Sequence, residues 1–414
     1  MKISSRVISL VVLAALLGPA AAAQEWTRFR GPNGTGISEA KGIPVTWTEQ
    51  DFLWRVPVAG DSHAQPVIWG DRIFLTTALG DGKERALLCL NKADGRELWR
   101  KTFALAGHRP GSKNSAHANA SPVVDRDRVV ALFVSRDNFW VRAFDHAGQE
   151  LWSRDLGGFL SQHGQGASPI IHDNKVIVTN DQDGESFVIA LDVRTGEPAW
   201  TSPRRAVKGG AAYGTPMLHP RADGALEMLF ASQAHGISAL DPKNGKLLWE
   251  SPVFDKRMVA SPVVAGDVVI GSCGSGGGGN YLSAVKLGGT GDVSSTHVAY
   301  TLRRATHYVP TPLYRDGRVY VINDAGIASA LESATGKEIW SERLRAEFFA
   351  SPVMIEGRIY VPSTKGEMIV LATGDKYELL ARNPIGEGTH STPCVDGGRL
   401  YVKTFTHLVC IGKK

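Results

Sequence analysis

Eight times along this chain of 414 residues a small or polar side chain is followed by Pro and two apolar residues, and no other feature constrains the fold as strongly. The pairs are Gln65-Pro66, Ser121-Pro122, Ser168-Pro169, Thr215-Pro216, Ser261-Pro262, Thr311-Pro312, Ser351-Pro352 and Thr392-Pro393. A repeat of 40–56 residues means stacked or circled copies of one supersecondary unit. The clearest copy runs from Thr311 to Trp340. Its apolar segments Leu313–Tyr314, Val319–Ile322 and Ile327–Leu331 are separated by the turn Asp316-Gly317 and by Asn323–Gly326, and Thr335-Gly336 leads into a last segment ending on Trp340. Short β-rich runs between Gly, Asp and Asn read as antiparallel strands joined by tight turns.

Aromatic residues close most copies: Trp99, Trp152, Trp200, Trp249 and Trp340, each after a turn ending in Gly. The fifth copy is interrupted by Gly276–Gly279 and Gly288–Gly291, and the seventh ends on Leu379-Leu380. The eighth stops at Val409-Cys410-Ile411 without a fourth strand, and the missing piece stands before the first copy as Phe52-Leu53-Trp54-Arg55. The expected fold is therefore all-β: an eight-bladed β-propeller of four-stranded antiparallel blades, spanning residues 52–412, its ring closed by an N-terminal strand. Closure of this kind leaves no unpaired edge in the ring. Trp54, Trp99, Trp152, Trp200, Trp249 and Trp340 are expected to dock blade against blade, each burying on the order of 200 Å².

These endings, Ala190-Leu191-Asp192 before Thr195-Gly196 and Trp200, or Ala239-Leu240-Asp241 before Gly245 and Trp249, resemble the PQQ-like (pyrroloquinoline-quinone-type) β-propeller repeat. The chain is similar over about residues 52–412 to the outer-membrane assembly factor BamB and to secreted PQQ-like repeat proteins. The motif encodes blade docking, so the resemblance implies a fold more than an activity.

The first 23 residues read as an export signal. Lys2 and Arg6 precede an apolar core, Val7–Leu17, and Ala21-Ala22-Ala23 offers a cleavage site near Ala23. The apolar run is short for a membrane span. The mature chain is thus expected to be periplasmic or secreted, without a transmembrane segment, and monomeric. It would carry 44 basic and 41 acidic side chains, scattered without a basic track, which argues against nucleic acid. Four cysteines at different strand positions do not form a disulfide framework and are read as buried thiols. Residues 24–51 form an N-terminal extension. Its Gly/Pro-rich segment, Trp26–Ser38, is either a ligand-facing arm or an anchor packing Trp26 and Phe29 on the side or end of the ring; aromatic anchors favour the second.

Strand order places the loops leading into each first strand and the loops after each second strand on one rim. That rim collects eight of the twelve histidines, among them His63. The binding candidates there are His117, Gln162, His163, Tyr213, His235, His307, Tyr308, Asn323, Asp324, His390 and His407. Imidazoles, amides and carboxylates on one face suit a polar ligand, though rim loops are polar simply by facing water. No His-x-His or HExxH spacing supplies a metal site. The Gly274–Gly279 run has no following helix to make a phosphate cradle, and no GxSxG elbow occurs.

Two functions compete. One is a non-catalytic binding or scaffold protein of the cell envelope, taking a protein, peptide or glycan on its rim and needing no cofactor. The other, implied by the resemblance, is a quinoprotein dehydrogenase oxidising an alcohol or sugar with PQQ and calcium. Such enzymes carry an adjacent-cysteine ring that this sequence lacks, although Asn180, Asp181 and Glu185 offer a set of calcium donors. The catalytic residues of either function are not readable from the sequence.

Overall fold

Eight four-stranded antiparallel sheets follow one another around a ring in a computed structural model, which describes residues 26–105, 115–304 and 306–413. Blades 1 to 8 begin with the inner strands Val67–Trp69, Val123–Val124, Ile170–His172, Met217–Pro220, Val263–Ala265, Leu313–Arg315, Val353–Ile355 and Cys394–Asp396. The N-terminal strand Phe52–Pro57 is the fourth strand of blade 8, pairing antiparallel with His407–Gly412 so that Trp54 faces Cys410. The export signal lies outside the described residues. No helix among them is long and apolar enough to cross a membrane.

The Ser/Thr-Pro signature has a physical reason that pattern reading did not reach. A residue before Pro is confined to extended backbone, which fixes the direction of its N–H. Here that N–H donates to the side chain of the equivalent residue one blade on: Gln65 to Ser121 Oγ (2.8 Å), Ser121 to Ser168 (2.9 Å), Ser168 to Thr215 (3.0 Å) and Thr215 to Ser261 (2.9 Å). The chain of bonds continues through Thr311 (3.0 Å) and Ser351 (2.9 Å) to Thr392 (3.0 Å). These buried bonds form a belt around the channel. Thr215→Val keeps the shape but leaves the Ser168 N–H without an acceptor. It should lower unfolding stability by about 1–3 kcal/mol in urea titrations; an unchanged midpoint would deny the belt its role.

A second contact between blades is aromatic. The Trp200 indole donates to Pro242 O (3.1 Å), and a Cβ on Gly245, at φ +74°, would stand 2.4 Å from its ring. Trp99, Trp152 and Trp340 make the same bond to His146, Val193 and Gly374 (each 3.0 Å). Trp54 packs against Gly95. In blade 5 Tyr300 replaces the indole, bonding Ser333 O (2.9 Å). Trp249 instead donates to Glu227 of its own blade (2.8 Å). Only Trp152 and Trp249 of the six are buried; the others cover one face, so each contributes less than full burial of the ring would.

Two short segments add parallel strands. Gly291–Asp292, from the interruption in the fifth copy, lies along the outer strand of blade 4, and Ile37–Ser38 lies along the inner strand of blade 7. The second belongs to the extension, which does not sit on the outside of the ring. Residues 26–38 cross its channel. Trp26 O accepts from Ile68 N in blade 1, Thr27 O from Val124 N in blade 2 and Gly36 O from Met354 N in blade 7 (each 2.8 Å). Asn33 exchanges two bonds with Leu218 in blade 4 (2.7 and 2.9 Å). Residues 39–51 then run under blades 7 and 8, burying Ile43 and Trp47, to reach the closing strand.

Candidate functional site

The crossing segment turns an open channel into a blind cup. Two arginines anchor it. Arg30 is fully buried and gives Nη1 to Thr311 O (2.7 Å) and Nη2 to Pro312 O (3.0 Å), while its N–H donates to Gln65 Oε1 (2.6 Å). Arg28 donates to Pro216 O (2.5 Å). Among the described residues neither meets a carboxylate; carbonyl dipoles offset their charge, and burial pulls both guanidinium pKa values down to about 9. Gln65 is the one signature residue that is neither Ser nor Thr, and its longer side chain reaches both the plug and Pro393 O (2.5 Å) in blade 8.

Above the plug, with Phe29 in its floor, opens a cavity of about 1150 Å³. Seven of the eleven rim candidates line it: Gln162, His163, Tyr213, Tyr308, Asn323, Asp324 and His390. Asn323 and Asp324 cap a turn. Asn323 Oδ1 accepts from Ile327 N (2.8 Å), and the Asp324 carboxylate accepts from Tyr308 N (2.9 Å) and Val309 N (3.2 Å). Burial raises the Asp324 pKa against those bonds. His163 Nδ1 meets Ser115 Oγ (2.7 Å), both in the cavity wall. Burial, and then the charge of the neighbouring Arg257, lowers the imidazole pKa. His390 stacks on Phe349 (4.5 Å) and lies 4.5 Å from His63. Burial, then His390 and Lys403, pushes the His63 pKa down to about 3.

The other four candidates are not brought to the cavity. His307 is buried below it, its pKa lowered to about 3 by burial and by the Arg30 charge. His235 is buried between Glu250 (2.5 Å) and the Arg205 N–H (2.9 Å). His117 is held by Asp61 (3.0 Å) under Gly82. His407 bonds Thr406 (2.7 Å) at the outer end of blade 8. Strand topology thus places a histidine on the rim without saying which way it points.

Sequence reasoning passed over Lys208, Lys256, Arg257, Asn280 and Phe349, all lining the cavity. They stand in the same leading loops, or the loop of Gly274–Gly279, and a census of charge as well as histidine would have found the first three. The proposed calcium donors do not fit a metal. Asp181 is buried and its carboxylate is held bidentate by Arg204 (2.9 and 3.2 Å), while Asn180 Oδ1 accepts from Gln182 (2.9 Å). Among the described residues no three His, Cys, Asp or Glu side chains converge as a metal site. All four cysteines are buried free thiols and none lines the cavity, so no cysteine ring stands beside a quinone.

Comparison with known proteins follows the fold. A PQQ_2 family model, described as outer membrane protein assembly factor BamB, matches residues 48–214, 143–296 and 278–404. The chain belongs to this family. BamB of Burkholderia pseudomallei is 23% identical over 372 residues, 89% of this chain and 88% of that protein. Tetrathionate hydrolase of Acidithiobacillus ferrooxidans is 27% identical over 248 residues; the match takes in 56% of this chain and only 45% of that enzyme's length. The quinohemoprotein alcohol dehydrogenase ADHIIG of Pseudomonas putida HK5 superposes with a TM-score of 0.66 at 14% identity, over 94% of this chain and 80% of that one, a likeness of fold alone.

Proposed function

We propose that this PQQ-repeat protein is a non-catalytic binding or scaffold protein of the cell envelope, which receives an envelope protein, peptide or glycan at the open rim of its plugged channel and needs no cofactor. The observation that carries the reading is the plug. A segment hydrogen-bonded to the inner strands of five blades leaves one mouth, lined by amides, phenols, cations, imidazoles and two carboxylates, with no three metal-ligating side chains converging among the described residues. Length-wide similarity to a protein named as an assembly factor supports the same reading. Its export follows from the N-terminal signal, and the mature chain acts as a monomer.

The experiment is recovery of the tagged, exported protein from its own envelope. Mass spectrometry should find one dominant companion, displaced when the cup is blocked. The purified chain should show no dye-linked oxidation of alcohols or sugars with added PQQ and calcium. Stoichiometric quinone binding with turnover would overturn the reading.

A further inference from the structure

The cations of the cup are concentrated on one wall, where blades 3 to 6 meet. Lys208, Lys256 and Arg257 line it beside Gln162, Tyr213 and Tyr308. Arg257 gives Nη2 to Gln162 Oε1 (2.7 Å) and Nε to Gly209 O (3.3 Å), and Lys256 gives Nζ to Gly279 O (2.8 Å). All these acceptors are neutral. None of the three cations pairs with a carboxylate among the described residues, in a protein where many other surface arginines do. The carboxylates that also line the cup are Asp324, already capping two backbone N–H groups, and Glu347.

Aromatic faces stand on the same wall: Tyr213 and Tyr308 both line the cavity, with the Tyr213 hydroxyl turned away into the protein. The wall therefore combines positive charge without carboxylate partners and aromatic faces. Side-chain amides of Gln162, Asn280 and Gln233 retain free donors or acceptors among the described residues. At about 1150 Å³ the cup exceeds the usual ligand pocket of about 300–1,000 Å³, so it holds more than a single small ion. Because Phe29 and the plug close its floor, a chain cannot thread through and must enter by its end.

From this geometry we infer that the cup binds the terminal part of an acidic saccharide, a uronic-acid type of sugar, with its carboxylate on Arg257 and the lysines and its ring and hydroxyls against Tyr213, Tyr308 and the amides. This deepens the binding-protein reading and rests on it. Amide groups suit sugar hydroxyls, aromatic faces suit the ring, and the cations supply the charge selectivity.

The test is calorimetry on the full mature chain with tri-galacturonate, with the matching neutral galactose trimer and with tetra-glutamate, at low and at 300 mM salt. Tri-galacturonate should bind at least tenfold tighter than the neutral trimer and weaken with salt. Arg257→Gln and Lys256→Gln should each reduce its affinity about tenfold without shifting the melting temperature, and Arg257→Lys should recover part of the loss. Equal affinity for both sugars, no binding of the acidic one, or an unaffected Arg257→Gln would overturn the inference. So would tetra-glutamate binding as tightly, which would make the cup a site for acidic peptides. If envelope material still co-purifies while tri-galacturonate fails to bind, the binding-protein reading stands and the sugar assignment falls.

Discussion

Taking this protein from pH 7.5 to pH 5 should remove about 3–6 kcal/mol of its stability, a large share of the 5–15 kcal/mol usual for a folded domain. His63 and His307 are held near a pKa of 3 and His235 near 4, all chiefly by burial, against 6.5 for an open histidine. Each takes up its proton on unfolding at any pH between its folded value and 6.5. Stability is therefore full above pH 6.5 and is lost progressively as the pH falls toward 4 and then 3. At pH 5 each group accounts for about 2 kcal/mol at most, and the lower figure allows for partial hydration of His63 in the cavity wall. Lys403, lowered by burial to about 8, changes charge above this window. Glu387, lowered to about 2 with bonds from Thr404 and Thr406 opposing its desolvation, adds its loss only below about 4.5. Asp324 opposes the trend there, since its raised pKa favours the protonated native form in acid. Urea midpoints at pH 7.5, 6.5 and 5 measure the effect. His307→Gln should remove about one proton from the slope, or about 1.4 kcal/mol per pH unit. A stability flat from pH 7.5 to 5 would mean that these imidazoles are hydrated and not buried.

The same histidines mark where reading from sequence stops. Eight blades, their strand order and the closing Phe52–Pro57 strand were legible because each copy repeats a period and a turn, and a period survives any change of side chain. What separates His163, open to the cup, from His307, sealed beneath it, is not periodic. It is set by Arg30, which arrives from the far end of the chain and bonds Thr311 and Pro312 just after His307. The belt was half visible: the Ser/Thr-Pro pairs were plain, but the bond joining each to its neighbour is a fact of the ring and not of one copy. Tyr300, doing the work of an indole, was hidden because the fifth copy is stretched by its glycines. The two arginines of Trp26–Ser38 could not be placed at all, since charged side chains are expected to face water and these are buried.

Those arginines lead to the second large effect. Arg30→Met should release the plug and not unfold the ring. The substitution keeps apolar bulk but leaves Thr311 O, Pro312 O and Thr35 O without the guanidinium that now bonds them. Bonds to a charged donor are worth about 1.5–3 kcal/mol each, so a loss of about 3–5 kcal/mol at this one point is expected. The other polar contacts of residues 26–38 are three backbone bonds to inner strands, the short Ile37–Ser38 pairing with blade 7, the Asn33–Leu218 pair, the Arg30 N–H on Gln65 and Arg28 on Pro216. The ring itself keeps its belt, its docked aromatics and the paired Phe52–Pro57 strand, none of which passes through Arg30. Local opening is thus easier than global unfolding. Hydrogen exchange tells the two apart. The amides of Ile68, Val124 and Met354, which donate to plug carbonyls, should lose protection by a hundredfold or more, while those of Ser121, Ser168 and Thr215 in the belt stay protected. Limited proteolysis should cut the variant within residues 26–48 and leave the rest whole. Equal loss of protection in both sets would show that the segment is part of the ring's cooperative core, and a cup closed by a separable floor would then be the wrong description of this channel.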